Sequence, residues 1–364
     1  MLLASGVLAL LVLCTREASA YPYFVGLRAV NCSECHYSPT GGGLINEWGR
    51  SSRGVTFGGT DDWSLHSDAK GHDQKGAPAL QLDFGADARA ALVLAGPSVA
   101  FFPMLLELQG VAAYGPVEAY IGITPRKGSP GGSPYLLFSR EHWLMLRLAS
   151  QVSVRAGRLV LPFGIRNPDH TQYVREDFGF DKWDQSYALE LDISSDDYTL
   201  AAAAFAGDLT WEAADVQERG GVVRGTLNLS DDRGFVGAAV LGSHSVARDR
   251  IAGSVFTGLR PLDHGYVLAE VAAQRLVAGR TDSTLTTWAS YVRLGWFLTD
   301  AVDVYTEEGY RLSIDHSELA KWRAALGSNW QVWSWFELVP QVMVEHLNGR
   351  GSELVAMAQI HLLH

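Results

Sequence analysis

The sequence predicts an all-β protein: an antiparallel β-barrel of about 14–16 strands that spans a membrane, preceded by a short cysteine-containing segment. Three observations predict it. The first residues have the character of an export signal, a glycine-rich stretch then holds two of the three cysteines, and hydrophobicity alternates with a period of two from Ala79 onward. Charged residues make up only 19% of the chain and hydrophobic residues 47%, a composition that excludes a disordered protein.

Residues 1–20 are predicted to be a secretory signal peptide. Residues 2–13 are almost wholly apolar, and Ala18-Ser19-Ala20 follows them as a small-x-small cleavage site. We predict cleavage before Tyr21, so that Cys14 is removed with the signal.

The most informative short motif is Cys32-Ser33-Glu34-Cys35-His36, which matches the attachment motif of c-type haem. Two thiols at this spacing reach the two vinyl groups of one porphyrin, and His36 then lies under the iron as the proximal axial ligand. Three other interpretations are open: a redox disulfide without its usual βαβ context, half of a zinc site without a second cysteine pair, and chance. Because the motif follows an export signal and uses every cysteine of the mature chain, we predict one covalent haem c on Cys32 and Cys35.

We predict that residues 21–76 form the haem segment and plug a barrel built from residues 77–364. A segment of about 55 residues is close to the lower limit for an independent core. It also has no methionine between the motif and Met104. The haem therefore needs walls from the rest of the chain, which is also a source for its sixth ligand.

The residues from Cys32 to Gly43, followed by Trp48-Gly49-Arg50, resemble the N-terminus of fused cytochrome–porin proteins of bacterial outer membranes. The resemblance is specific over residues 31–50 and diffuse over the remainder. It implies a monohaem segment joined to a porin-like barrel, and characterised relatives are associated with ferrous iron oxidation or extracellular electron transfer. The glycines at 41–43 would let backbone pass close to the porphyrin edge, and Arg50 would pair with a propionate. A flexible linker and a solvated arginine are the alternatives.

Period-two alternation is the main signal in the rest of the chain. It is clearest in residues 187–193, 221–229, 267–274 and 291–298. Polar turns are predicted at residues 194–197, 230–232, 299–300 and 348–350. Residues 354–362 alternate almost to the end of the sequence, as the closing strand of an outer-membrane barrel does.

A soluble β-sandwich is the alternative to a membrane barrel. The barrel is favoured because the number of strands exceeds what one sandwich holds, and because charged residues recur on one face, as they do in a wet lumen. Tryptophan and tyrosine also fall towards segment ends, where they form interfacial girdles. We therefore predict a protein of the bacterial outer membrane, with lipid as its surroundings.

Residues 156–175 are similar to a porin strand that runs into a long inward loop. In this stretch His170 is a candidate for the sixth haem ligand, Asp169 would orient a ligand, and Arg166 or Arg175 would neutralise propionates. A loop that narrows the lumen without touching iron is the alternative. The other candidates for the sixth position are His66, His72, Met104, Met145, His142 and an open or water-ligated site.

The segment from Asp61 to Asp73 mixes carboxylates with His66 and His72, donors that would suit ferrous iron. A solvated loop is the commoner interpretation. No serine–histidine–aspartate arrangement, phosphate-cradling loop or pair of catalytic carboxylates stands out, so we predict no catalytic residue. At most we expect a ferrous-iron:cytochrome oxidoreductase-like activity.

The net charge of −11 argues against a nucleic-acid partner and mildly favours a cationic donor such as ferrous iron or a basic periplasmic cytochrome. Our hypothesis is electron transfer across the outer membrane through one haem c held in or under the barrel. A periplasmic cytochrome or other electron carrier would serve one side, and an extracellular metal donor or acceptor the other. The alternatives are a diffusion porin with a haem sensor or gate, a periplasmic β-rich haem protein, and a barrel in which Cys32 and Cys35 form a disulfide.

Overall fold

The computed structural model is a closed antiparallel barrel of sixteen strands, in which each strand pairs with its neighbours in the sequence and β1 pairs with β16. The prediction of 14–16 strands is confirmed. The strands are β1 (Gln81–Ala95), β2 (Ser98–Tyr114), β3 (Val117–Lys127), β4 (Tyr135–Ala149), β5 (Val152–Val160), β6 (Gln185–Ser194), β7 (Tyr198–Phe205), β8 (Arg219–Leu229), β9 (Gly234–His244), β10 (Arg248–Leu262), β11 (Gly265–Ala278), β12 (Thr284–Thr299), β13 (Val302–Ser313), β14 (Lys321–Trp333), β15 (Phe336–Leu347) and β16 (Gly351–Leu363).

Short helical turns are also found among the described residues. They are a 3-10 helix (Pro22–Leu27), α1 (Cys32–Cys35) and α2 (Tyr173–Glu176). The structure describes residues 22–27, 32–46, 49, 79–127, 135–167, 172–181, 184–209, 213–230, 233–279, 283–315, 320–333, 335–348 and 351–363. Among these residues, no helix is long and apolar enough to cross a membrane.

Side chains alternate between the outer face and the interior of the barrel. On β6, Leu189 and Leu191 are 56% and 39% exposed on the outside, whereas Glu190 and Asp192 are 0% and 4% exposed inside. A closed barrel puts alternate side chains on its two faces, so an apolar outer face can meet lipid while polar groups stay inside. This alternation confirms the predicted membrane barrel and excludes the β-sandwich.

Aromatic side chains are concentrated near the ends of the strands on the outer face. Trp288 and Trp296 lie towards the two ends of β12 and are 47% and 43% exposed. Trp322 lies at the start of β14 and Trp330 near its end. Amphipathic rings at two levels form the girdles expected at the two membrane–water interfaces.

Consecutive strands are joined alternately at the two ends of the barrel. The end that holds the start of β1 and the end of β16 is here called the turn end, because its connections are short. They comprise residues 115–116, 150–151, 195–197, 230–233, 263–264, 300–301 and 334–335. The opposite, loop end has short connections at residues 96–97, 245–247 and 348–350, but it also holds all the connections of five residues or more, of which residues 161–184 form the longest. Short turns at one end and longer loops at the other are typical of outer-membrane barrels.

Candidate functional site

The lumen is lined by buried ion pairs. Arg140 on β4 contacts Glu107 on β2, with 2.7 Å between Nη2 and Oε2. Arg155 on β5 donates from Nε to Oε1 of Glu190 on β6 at 2.6 Å. Arg155, Glu107 and Glu190 are fully buried and Arg140 is 6% exposed. Charges removed from water in this way persist only when they are paired and hydrogen-bonded.

Arg155 also holds the N-terminal segment inside the barrel. Its Nη1 donates to Oγ of Ser38 and its Nη2 donates to Oγ1 of Thr40, both at 2.7 Å. Ser38 and Thr40 are themselves buried. One guanidinium therefore ties the barrel wall to the loop that follows the cysteine motif.

Two tyrosines of the same segment are bound to the wall near the turn end. Tyr23 donates from its hydroxyl to Oε1 of Glu337 on β15 at 2.9 Å, and Tyr37 donates to Oδ2 of Asp83 on β1. Phe24 stacks on Phe297 of β12 with 6.2 Å between the ring centroids. The described part of the segment, called the plug from here on (residues 22–27 and 32–46), is thus bound to the wall on several sides of the lumen.

The Cys-x-x-Cys-His motif forms one helical turn within the plug. The His36 amide donates to the Cys32 carbonyl at 3.1 Å, and the Asn46 amide donates to the Cys35 carbonyl at 2.8 Å. His36 pairs with Ile45 in an isolated β-bridge. Cys35 is 1% exposed, Cys32 is partly exposed, and neither forms a disulfide.

Glycine is required beside the motif because of both backbone conformation and space. Gly41 and Gly42 have φ angles of 85° and 72°, in the left-handed region that other residues seldom adopt. A Cβ atom on Gly41 would lie 3.2 Å from Sγ of Cys32, and one on Gly42 would lie 2.7 Å from Nη2 of Arg166. The missing side chains leave room next to the thiol.

These residues fit a c-type haem. The two cysteines form no disulfide, stand three residues apart on one helical turn, and precede the histidine that a c-type haem uses as axial ligand. Gly41 has no Cβ atom to fill the position 3.2 Å from the Cys32 sulfur. Cys32 and Cys35 would hold the porphyrin through thioethers and His36 would bind its iron.

The longest connection folds back into the lumen, as predicted from residues 156–175. Leu161, Phe163 and Ile165 are at most 5% exposed. The Ile165 amide donates to Oε2 of Glu270 on β11 at 2.9 Å, and Asn167 donates to the hydroxyl of Tyr291 on β12 at 3.0 Å. The described part of this loop, residues 161–167 and 172–181, is called the inward loop from here on.

The two arginines predicted as propionate partners have different surroundings. Arg175 donates to the carbonyls of Phe163 and Ile165 at 2.9 and 3.3 Å, so its donors are used inside the inward loop. Burial lowers the pKa of Arg175 to about 10, which leaves it charged at neutral pH. Arg166 instead reaches the plug, with 3.4 Å from its Nη1 to Oγ1 of Thr40. Burial, and secondarily nearby guanidinium groups, lower its pKa below the usual value.

Several predicted site residues lie outside the described residues: Arg50, His66 and His170, together with Asp61, Asp62, His72, Asp73 and Asp169. Their predicted roles stay predictions. Within the described part of the chain, no three His, Cys, Asp or Glu side chains come together in a way that would hold a metal ion.

Two of the remaining candidates for the sixth ligand, Met145 and His142, lie on β4 and face opposite sides of the barrel wall. Met145 is fully buried on the lumen side, as is its neighbour in alternation Trp143. His142 is two residues before the outward-facing Leu144 and so lies on the same, outer face of β4. Its ring contacts the ring of Tyr187, with 5.6 Å between the ring centroids. Met145 therefore stays a candidate, whereas His142 faces away from the lumen.

A closed sixteen-strand barrel with an apolar outer face and charged interior is a porin-type barrel of the outer membrane. No family model matches the sequence, and no curated protein matches it either.

Solved structures of porin-type barrels do match, and they share the fold alone at low sequence identity. OmpT of Vibrio cholerae in its trimer form matches with a TM-score of 0.63 and 9% identity, covering 79% of this chain and 100% of that one. The outer membrane channel DcaP of Acinetobacter baumannii gives 0.58 and 12%, covering 78% and 98%. An anion-selective porin from Comamonas acidovorans gives 0.59 and 10%, covering 79% and 100%.

Sequence reasoning missed Arg155 and Arg224, which both face the lumen from strands. Their only signal was an arginine at a polar position of an alternating segment, and many positions share that pattern. It does not reveal which lumen-facing arginine meets the plug.

Proposed function

We propose that this protein transfers electrons across the outer membrane through one haem c attached to Cys32 and Cys35 inside a plugged barrel. The observation that carries the proposal is the Cys-x-x-Cys-His turn, held in the lumen by the barrel's own side chains. When bound, the haem supplies one-electron redox chemistry.

The chain's own residues have distinct tasks in this proposal. Cys32 and Cys35 attach the porphyrin, and His36 is the proximal axial ligand. Arg155, through Ser38 and Thr40, fixes the plug against the wall. The surrounding barrel shields the site from lipid and restricts water, conditions that help to set a haem potential.

The position of the plug indicates how partners would approach. The Ser33 hydroxyl lies next to that of Ser194, with 3.4 Å between their Oγ atoms, and Ser194 is the last residue of β6 at the turn end. In outer-membrane barrels the short turns face the periplasm. We therefore propose a periplasmic cytochrome or other electron carrier as the partner at the turn end, and an extracellular metal donor or acceptor at the loop end.

The first experiment is an absorption spectrum of the full-length protein, produced with haem-maturation machinery and extracted in detergent. We expect sharp reduced α and Soret bands after dithionite, and haem that stays with the denatured chain. Cys32→Ser and Cys35→Ser should each lose a thioether link, and His36→Ala should lose the low-spin spectrum. The exposed His244 offers a matched control, because His244→Ala removes an imidazole far from the motif.

A folded, membrane-extracted protein without covalent haem would refute the electron-transfer proposal. The second candidate function would then stand, since the neighbouring folds include a channel and an anion-selective porin. That candidate is solute diffusion regulated by the plug. It predicts solute flux in liposomes that depends on the state of Cys32 and Cys35.

A further inference from the structure

One arginine of the inward loop lies beside Cys32, and an arginine of the barrel wall is bound to the same loop. Arg166 packs its guanidinium over Gly42, where a Cβ atom would lie 2.7 to 2.8 Å from its Nη2, Cζ and Nε atoms. A Cβ atom on the adjacent Gly41 would lie 3.2 Å from the Cys32 sulfur and 4.0 Å from Cδ of Arg166. Arg166 and the Cys32 thiol thus flank the same two glycines.

The second arginine is Arg224 on β8. Its Nε donates to the Gly164 carbonyl at 2.9 Å, and its guanidinium lies 4.8 Å from the ring centroid of Phe256. These contacts fix the cation against the inward loop. Gly164 is two residues before Arg166, so Arg224 is bound to the same stretch of the inward loop that brings Arg166 to the glycines.

Two arginines of β4 and β5 are neutralised in direct contact. Arg140 has Glu107 at 2.7 Å and Arg158 has Asp208 at 2.6 Å. Among the described residues, by contrast, the carboxylate oxygen nearest to Arg166 is 3.5 Å away, on Glu141, and Glu141 also contacts Arg140.

Arg224 has no carboxylate in ion-pair contact among the described residues. The nearby carboxylate of Glu270 accepts hydrogen bonds from Ser254 and the Ile165 amide instead. Two incompletely neutralised cations therefore lie in this part of the lumen: Arg166 next to the thiol that would carry the haem, and Arg224 bound to the inward loop two residues before Arg166.

We propose that Arg166 and Arg224 form a cationic wall at the thioether edge of the haem and raise its reduction potential. The inference rests on the proposed function. Reduction lowers the charge on the iron by one, so a nearby fixed cation stabilises the ferrous form over the ferric form. The effect is stronger in a lumen of low dielectric constant than in water. The propionates lie on the opposite edge of the porphyrin from the thioethers, so they do not neutralise this wall by contact.

The wall is tested by a spectroelectrochemical titration of the full-length haem protein in detergent. Arg166→Gln and Arg224→Gln should each lower the midpoint potential, and the double variant should lower it further. Arg166→Lys and Arg224→Lys should keep the midpoint potential close to that of the wild-type protein, because lysine keeps the positive charge. The matched control is Arg323→Gln on β14, which removes a lumen cation whose carboxylate, Glu307, keeps Arg293 as a partner.

A second readout does not need the haem. In the Cys35→Ser protein produced without haem-maturation machinery, and therefore without covalent haem, the alkylation rate of Cys32 is measured with anionic iodoacetate and with neutral iodoacetamide. The cationic wall should favour the anionic reagent, so the ratio of the two rates should fall several-fold in Arg166→Gln and Arg224→Gln and stay unchanged in Arg323→Gln.

The outcomes separate this inference from the proposed function. The wild-type protein can carry covalent haem while both Gln variants leave its potential unchanged, or shift it no more than Arg323→Gln does. That result would overturn the proposed cationic wall and leave the electron-transfer proposal intact. Failure of the wild-type protein to attach haem would overturn the proposed function and this role of the wall together. An unchanged alkylation ratio would refute the cationic wall itself, with or without haem.

Discussion

Arg155 makes three bonds that no smaller side chain could combine. Its five donors reach Glu190 in the wall and Ser38 and Thr40 in the plug, all from a fully buried position. A lysine could place one charge here but could not match the fork of acceptors. The planar guanidinium therefore fixes the orientation of the plug as well as its position.

Arg155→Gln should destabilise the protein and loosen the plug. Glu190 would be left buried without its main partner, and breaking one side of a buried ion pair costs about 3–5 kcal/mol. We expect a lower urea midpoint for unfolding in detergent micelles and faster protease cleavage within the plug. The double variant Arg155→Gln/Glu190→Gln removes the uncompensated charge, so it should recover part of the stability while the plug stays loose. A double variant no more stable than the single one would contradict this account.

At the scale of the single strand, the environment of a side chain depends on its depth as well as on its face. Val255 lies in the middle of β10 and is 68% exposed on the outer face, whereas Leu262 ends the same strand and is 62% exposed. Exposure is nearly equal, yet one position lies in hydrocarbon and the other near the interface.

Val255→Arg should therefore be far more costly than Leu262→Arg. An arginine on the lipid face costs about 2–4 kcal/mol at the midplane and about 0–1 kcal/mol near the interfaces. Unfolding free energies of the barrel in lipid vesicles would measure the difference. Equal costs at the two positions would show that β10 does not span the bilayer as described.

The strands could be predicted from the sequence because their signal is local. Residues 187–193 were predicted from alternation and lie within β6, and the predicted turn 194–197 separates β6 from β7. Lipid on one side and polar groups on the other impose a period of two on each strand separately, so no long-range information is needed.

The pairing inside the lumen could not be predicted because it joins distant parts of the chain. Asp87 on β1 and His361 on β16 contact each other at 2.9 Å across the closure of the barrel. Arg155 and Ser38 are likewise far apart in sequence. Spacing in one sequence shows which residues face inward, but the angular position of each strand around the barrel decides which of them meet.

The cysteine motif was recognisable because its chemistry is confined to five consecutive residues. The residues that surround it come from β5 and the inward loop, so the motif gave no indication of them. Arg166 was singled out only as a propionate partner, and its proximity to Cys32 depends on how the inward loop folds back over the glycines.

At the scale of the whole molecule, the plug and the inward loop share the interior of the barrel. The plug is bound to β1, β5 and β15, and the inward loop to β8, β11 and β12. They meet where Arg166 contacts Thr40. For this barrel to conduct solutes as an open porin does, either the plug or the inward loop would have to move.

Deletion of residues 22–46 should raise the conductance of the barrel in planar lipid bilayers. Removing the plug frees the volume near the turn end while the inward loop keeps its contacts with Glu270 and Tyr291. Liposome swelling with small sugars gives a second measurement. The same conductance with and without residues 22–46 would show that the plug does not limit passage.

The bond between Tyr23 and Glu337 has a consequence for the order of biogenesis. It joins residues 314 positions apart, and Glu337 in turn contacts His361 on the last strand. Until β15 and β16 are in place, Tyr23 has no acceptor there, so the plug settles only as the barrel closes. Contacts of such high sequence separation form late because the intervening chain must first be ordered. The thiols of Cys32 and Cys35 thus stay accessible to modifying enzymes while the exported chain is still incompletely folded, and barrel closure ends that period.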